Sequence, residues 1–445
     1  MDKYQILAKE LVEKAAASGA HQAEVYISKG KELTIEVANG QVEALKNAEE
    51  HGLGIRVLVD HRLGYAYTSD FSPAALEATL TQAIKNAEKT HPDPHYRLPD
   101  PVIDHRELEL YDPEITATSI EHKINLALAI EKAAREYDPR VKITENCTYQ
   151  DSQYQVILAN SQGILCSYQG AYCGCYAYVV AEEDEDAQTG FGMQFDLKIA
   201  ALDPIKVGKE AAAKAVRMLN ASHIKTQKAP VVFDPYVATN FLGVLAPALS
   251  ADAVQKGKSL FAGKVGQPVC SSLINIVDDG ALPGGLMSAP FDGEGVSTGR
   301  TVLVERGVLK GYLHNTYTAA KDGVSSTGNA VRSFKSTPEV GTTNFYIEPG
   351  NVCKEELLAG IEQGFYVTEV MGMHTANPIS GDFSVGASGL WIENGRLTRP
   401  VRGVAIAGNL MHLFQSVDCV ADDLTFFVGR GSPTIRIKEM TISGS

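Results

Sequence analysis

Apolar residues recur at Tyr4, Leu7, Ala8, Leu11, Val12 and Ala15, the spacing of a single stripe along an α-helix. Ser18-Gly19 predicts where that helix ends. Strand-like runs follow at Ala23–Ser28 and Leu33–Val37, then at Gln41–Leu45 after Asn39-Gly40, a dipeptide suited to the positive φ angles of a tight hairpin. Gly54–Val59 and Gly64–Thr68 predict two more strands. They lead into a helix from about Pro73, with Leu76, Leu80, Ala83, Ile84 and Ala87 on one face. The stretch from His91-Pro92-Asp93-Pro94-His95 to Pro99-Asp100-Pro101 breaks both periodicities and reads as a linker.

The same order then returns. Thr118-Ser119-Ile120-Glu121 has the spacing of a capping box and predicts a helix to about Glu136. Strand-like segments at Lys142–Tyr149, Gln155–Leu158 and Ile164–Ser167 surround the turn Asn160-Ser161-Gln162-Gly163. A further strand, Cys173–Val180, precedes the acidic run Glu182–Asp186, which reads as a solvated turn. A helix from Pro204 carries Val207, Ala211, Ala215 and Leu219. Gly64-Tyr65-Ala66-Tyr67 and Gly190-Phe191-Gly192-Met193 hold matching places, which suggests a duplicated α/β unit.

From about Val231 the pattern changes to short β-like runs between glycines: Leu273–Val277, Arg300–Glu305, Val308–Leu313, Thr343–Ile347, Ala387–Glu393 and Val404–Ala407. Helices are predicted only at Pro235–Ala246 and Lys354–Gln363. Such spacing suggests a closed or strongly curved sheet. The expected fold is therefore α+β, with duplicated N-terminal α/β units followed by a Gly-rich, mostly β, barrel-like C-terminal domain. The expected division is 1–90, a proline-rich linker at 91–114, a central α/β domain at 115–222 and the C-terminal domain at 223–445.

Composition narrows the function classes. Of 445 residues, 44% are hydrophobic and 21% charged, enough apolar side chain for large cores. The net charge of −14 repels phosphate backbones, so nucleic acid is not an expected partner. No run approaches the ~20 apolar residues that span a bilayer, and no membrane association is expected. Met1-Asp2-Lys3-Tyr4-Gln5 lacks a signal-like apolar run, and seven scattered cysteines do not form a disulfide framework, so the expected location is cytoplasmic. Cys173-Gly174-Cys175 lacks a second pair and reads as a buried strand.

The sequence names no catalytic group. Zinc peptidases place two histidines close together on one helix with a glutamate beside the first, and no helix here does so. His91 and His95 have metal-like spacing but lie in the proline-rich linker without a third ligand. His314, His374 and His412 are isolated. Gly381-Asp382-Phe383-Ser384-Val385-Gly386 misses a serine elbow by one residue, and Gly257 to Gly263-Lys264 has the wrong spacing for a phosphate loop. Gly293-Glu294-Gly295 does not lead from a strand into a helix, as a dinucleotide site requires.

Ordered motifs in the third segment nevertheless resemble one family. Asp252-Ala253-Val254-Gln255-Lys256-Gly257-Lys258-Ser259, Val277-Asp278-Asp279-Gly280, Phe291-Asp292-Gly293-Glu294-Gly295-Val296 and Gly307-Val308-Leu309-Lys310-Gly311-Tyr312 resemble the TldD/PmbA peptidases. Thr327-Gly328-Asn329, Asn377–Ser384 and Trp391-Ile392-Glu393-Asn394-Gly395 continue the likeness, which covers essentially the whole chain. In TldD-type members the resemblance implies a His-Glu-x-x-x-His helix and a C-terminal cysteine as zinc ligands. Here that helix falls on Leu242-Gly243-Val244-Leu245-Ala246-Pro247; Leu242 and Pro247 offer no lone pair and Gly243 no base. The cysteine-bearing insertion is also missing, Asp423–Val428 running directly into Gly429-Arg430-Gly431-Ser432-Pro433.

The chain is thus similar to the PmbA (TldE) branch, which lacks the metal motif. That resemblance implies a non-metal subunit of a heterodimeric zinc metallopeptidase acting on unfolded peptides. Zinc and the catalytic groups are expected in a TldD-like partner chain, with no metal and no catalytic residue in this one. This chain would supply chamber wall and peptide contacts, with a homodimer forming when the partner is absent. Candidate contacts are Gly284 and Gly285 in one loop, and His374, Ser380, Asp382 and Ser384 in another. Asp292 and Glu294 orient loops at the cleft or simply close turns. Two other readings stay open: a self-sufficient peptidase using His314, His374 or His412, and a regulatory protein-binding module such as a modulator of a DNA enzyme.

Overall fold

The computed structural model describes residues 1–101 and 106–444; residues 102–105 of the predicted linker, and Ser445, lie outside the described residues. Helix α1 (Lys3–Ala17) opens on a capping box in which the Asp2 carboxylate accepts from the Tyr4 and Gln5 amides. Strands β1 (Gln22–Ala38), β2 (Gln41–Val59) and β3 (Arg62–Thr68) form a meander, and α2 (Pro73–Ala87) follows. After the short α3 (Pro113–Ala117) the plan repeats as α4 (Ile120–Tyr137), β4 (Val141–Asn160), β5 (Leu165–Glu183), β6 (Asp186–Asp196) and α5 (Pro204–Val216). The two meanders form one sheet in the order β3-β2-β1-β4-β5-β6. They join at its centre, where β1 and β4 pair antiparallel from Glu24↔Asn160 to Val37↔Cys147.

All four long helices cover one face of this sheet. Val25, Ile27, Leu53, Ile55 and Val57 pack with α1 and α2, and Ile35, Val37, Cys147, Tyr149, Cys173 and Cys175 with α4 and α5. The duplication extends to the packing. A Cβ on Gly64 would stand 2.0 Å from the Ala83 carbonyl oxygen, and one on Gly190 would stand 2.2 Å from that of Ala211. Each glycine lets its outer strand lie against the backbone of the following helix, at equivalent positions in the two units.

Several predicted elements change in extent. The separate runs at Ala23–Ser28 and Leu33–Val37 are one strand, as are those at Gln41–Leu45 and Gly54–Val59. The intervening Lys46–His51 is polar because most of it is solvent-exposed, so the hydrophobic alternation stops while the ladder continues. The cap of α4 is Ser119, whose Oγ accepts from the His122 amide, and not Thr118. The helix expected over Lys354–Gln363 stops at Ala359, and Gln363 starts a strand. The acidic run is more than a solvated turn, since Glu183 pairs with Arg140 and Asp186 with Arg402 of the C-terminal domain.

The C-terminal domain contains the closed sheet that the glycine spacing suggested. Strand β7 (Gln227–Phe233) lies between Gln363–Met371 and Ile435–Ser443. Asp382–Glu393 and Arg396–Asn409 extend the sheet, and pairing of Ala405 and Ile406 with Ser443 and Ile442 closes a five-stranded barrel. A second six-stranded sheet includes Ile276–Asp279, Phe345–Ile347, Arg430–Ser432 and Thr425–Phe427. Helix α6 (Pro235–Leu245) shares one core with both sheets, its Val237, Phe241, Leu242 and Leu245 fully buried. Each such side chain contributes about 1.5–3 kcal/mol by leaving water.

Candidate functional site

Helix α6 is the element on which the family resemblance places the metal motif. Asp234 caps it, accepting from the Tyr236 amide, and Pro235 occupies the first turn, where no N–H is needed. The other Asp234 oxygen accepts from Tyr366 Oη at 2.9 Å, which in turn accepts from Lys354 Nζ. Burial, and then Asp234, push the Tyr366 phenol far above its ordinary pKa, so it is a proton donor to this cap and not an acid at the surface.

Leu242 points into the shared core. Tyr236, Asn240, Gly243 and Pro247 form the less buried stripe at i, i+4, i+7 and i+11, with Pro247 exposed in a 3-10 turn. The three motif positions therefore do not converge on one point. At Gly243 the missing side chain is replaced from outside, since a Cβ there would stand 2.4 Å from Arg430 Nη1. Arg430 opens its strand directly opposite Phe427, whose ring centroid lies 5.1 Å from that of Tyr236. Tyr236 continues to Phe191 of β6 at 4.6 Å. The two chain regions flagged by the absent ligands, 242–247 and 423–430, thus meet in space.

Gly284 and Gly285 lie beside them. With Phe426, Phe427, Val428 and Met193–Phe195 of β6 they line a cavity of about 310 Å³. Gly284 has φ +72°, and a Cβ on Gly285 would stand 2.7 Å from Ser288 Oγ and 2.8 Å from Asn344 Cγ. Asn344, fully buried, fixes this loop by donating to the Asp279 carbonyl and Ser288 Oγ and accepting from the Met287 amide.

The second candidate segment is a separate cluster. His374 is exposed in a 3-10 turn, Met373–Thr375, that packs against α6. Ser380 Oγ and Asn409 Nδ2 donate to the two oxygens of Asp382 at 2.8 and 2.9 Å, and these bonds, Asn409 first, hold its carboxyl below the usual range. Ser384 is exposed on the barrel strand that follows. No hydrogen bond or ion pair among the described residues joins this turn to the Gly284–Gly285 loop.

His314 is buried, with its pKa lowered by burial and its Nδ1 unpartnered, and His412 is exposed on a short helix. Among the described residues no group of three or more His, Cys, Asp or Glu is placed to hold a metal ion. Cys173 and Cys175 are buried in β5, which pushes both thiols up to about 12 and leaves them unreactive.

Asp292 accepts loop amides, while Glu294 belongs to a buried charge network that the sequence does not announce. Arg56 donates to Glu24 at 2.7 Å and to Glu294 at 2.8 Å, and Arg332 also pairs with Glu24. Glu294 accepts further from the Thr316 amide. Glu24 and Arg56 come from β1 and β2, Glu294 and Arg332 from the C-terminal domain, so these pairs tie the N-terminal sheet to that domain. No local pattern announces partners 238 positions apart.

Models of the PmbA/TldA metallopeptidase domain 1, central domain and C-terminal domain match residues 23–87, 113–219 and 226–444. The chain belongs to the PmbA/TldD metallopeptidase family, on its PmbA (TldE) side. It is 30% identical over 433 residues to the metalloprotease PmbA of Escherichia coli O157:H7, covering 96% of this chain and 94% of that one. The crystal structure of TldE from Thermococcus kodakarensis superposes with a TM-score of 0.91 at 26% identity, over 98% of this chain and 99% of that one. A Thermotoga maritima protein, provisionally described as a modulator of a DNA gyrase, superposes with a TM-score of 0.92 at 28% identity, over 99% and 100%. No helix among the described residues is long and apolar enough to cross a membrane.

Proposed function

We propose that this chain is the non-metal subunit of a two-chain zinc metallopeptidase, forming part of the chamber wall and holding unfolded peptide for a TldD-like partner. The observation that carries this reading is the site on α6, where Leu242 is turned into the core and Arg430 fills the space over Gly243. Zinc in the partner would activate water for attack on a peptide carbonyl. The residues of this chain would position the peptide, the Gly284–Gly285 loop and its cavity being the foremost candidates. The turn bearing His374, Ser380, Asp382 and Ser384 is a second candidate contact.

The reading as a modulator of a DNA enzyme draws on the descriptions of two solved relatives, from Thermotoga maritima and Bacteroides thetaiotaomicron, and a net charge of −14 opposes direct contact with DNA. Co-expression with the TldD-type chain of the same organism tests the proposal. We expect the two chains to co-purify and to hydrolyse an unfolded peptide together. Hydrolysis by this chain alone, undiminished by a chelator, would contradict it.

A further inference from the structure

The stripe of α6 that lacks metal ligands faces a permanent cation without a counter-ion. Arg430 is exposed, and no hydrogen bond or ion pair among the described residues engages its guanidinium. Gly243 makes room for it, since a Cβ there would stand 2.4 Å from Nη1 and 2.9 Å from Cζ. Tyr236 and Gly243 share a helix face two turns apart. Phe427 and Arg430 are cross-strand partners, about 5 Å apart at Cα, so their side chains leave the ribbon on the same side. Two matched rows result, Tyr236 against Phe427 and Gly243 against Arg430.

Phe427 also borders the cavity of about 310 Å³, whose other walls include Met193, Phe195, Leu282, Leu286 and Phe426. Arg430 does not itself line the cavity, but its cross-strand partner Phe427 does, so a ligand that meets both features carries an anion and an apolar group. We propose that Arg430 and this cavity bind the C-terminal residue of a peptide. The guanidinium takes the carboxylate through paired N–H donors, and the cavity takes an apolar side chain. The proposal rests on the reading of this chain as a peptide-holding subunit and names the end of the peptide it holds. A purely structural Arg430, lying on the last turns of α6 near their partial negative charge, would not discriminate between ligands.

The test uses the isolated full chain and fluorescence polarisation of N-terminally labelled peptides ending in leucine, as the free acid and as the C-terminal amide. We expect the wild type to bind the acid about tenfold more tightly than the amide. Arg430→Gln should bind both at the level of the amide. Gly243→Ala, which keeps Arg430 but forces its guanidinium off α6, should lose most of the preference, with thermal melts showing both variants folded. Equal wild-type affinities, no measurable binding, or a preference that survives Arg430→Gln overturns the proposal. Because no partner is present in this assay, failure of the partner to co-purify would count against the subunit reading without deciding this one.

Discussion

Asp292 is the residue on which three loop amides converge, those of Glu294, Val296 and Ala330. Those donors favour its charged form, but burial, reinforced by the neighbouring Glu294, outweighs them and holds its pKa well above the usual carboxylate range. A raised folded-state pKa means that the protonated form favours folding. Its contribution is complete below the ordinary carboxylate pKa of about 4 and is lost as pH rises towards neutrality. We expect the unfolding free energy of the wild type, relative to Asp292→Asn, to fall by on the order of 1–2 kcal/mol between about pH 5 and pH 8. Urea titrations across that range measure it, and a difference that does not change with pH contradicts it. The sequence marks Asp292 and Glu294 as cleft or turn residues, and the structure makes Asp292 a loop anchor and Glu294 an interface charge paired with Arg56. Neither Arg56 as the partner of Glu294 nor Arg430 as the neighbour of Gly243 is legible beforehand. Such contacts join distant segments, and no periodicity encodes them.

At the scale of elements, helix α1, the Asn39-Gly40 hairpin and the starts of α2 and α5 at Pro73 and Pro204 all stand where apolar spacing and breakers put them. Strand lengths are less legible, because a long stretch of β2 before Leu53 and the short Ser28–Glu32 of β1 lie outside the helix-covered core and need no alternation there. Both third strands set glycine against a helix backbone, Gly64 in β3 and Gly190 with Gly192 in β6, contacts that cannot yield as a flexible side chain would. Gly64→Ala and Gly190→Ala should therefore each cost about 1–3 kcal/mol. Gly30→Ala serves as the control, since its nearest neighbour would be the Gln153 carbonyl at 3.9 Å. Chemical denaturation of the three variants decides this. Equal stabilities would show that the helices shift freely over the strands and that the matched packing of the two units is unimportant.

At the scale of the whole molecule, the repeat and the Gly-rich third segment are visible in the sequence. Fusion of the two units into one sheet is not, because the β1–β4 ladder is a tertiary pairing between them. The network of Glu24, Arg56, Glu294 and Arg332 then secures that sheet to the C-terminal domain. Arg56→Met would leave Glu24 and Glu294 buried with fewer counter-charges, and we expect a loss of about 3–5 kcal/mol with faster proteolysis between the N-terminal sheet and the C-terminal domain. Unchanged melting and proteolysis would show that the network contributes little to docking. The same overall arrangement places α6, Arg430 and the Gly284–Gly285 cavity close together, where a TldD-like partner would meet this chain on the proposed reading. Zinc content tests this division of labour most directly, measured on the purified chain and on its complex with the TldD-type chain. The account predicts no stoichiometric zinc in this chain alone and about one zinc ion per heterodimer in the active complex. One tightly held zinc ion in the isolated chain, accompanied by peptide hydrolysis, would contradict it.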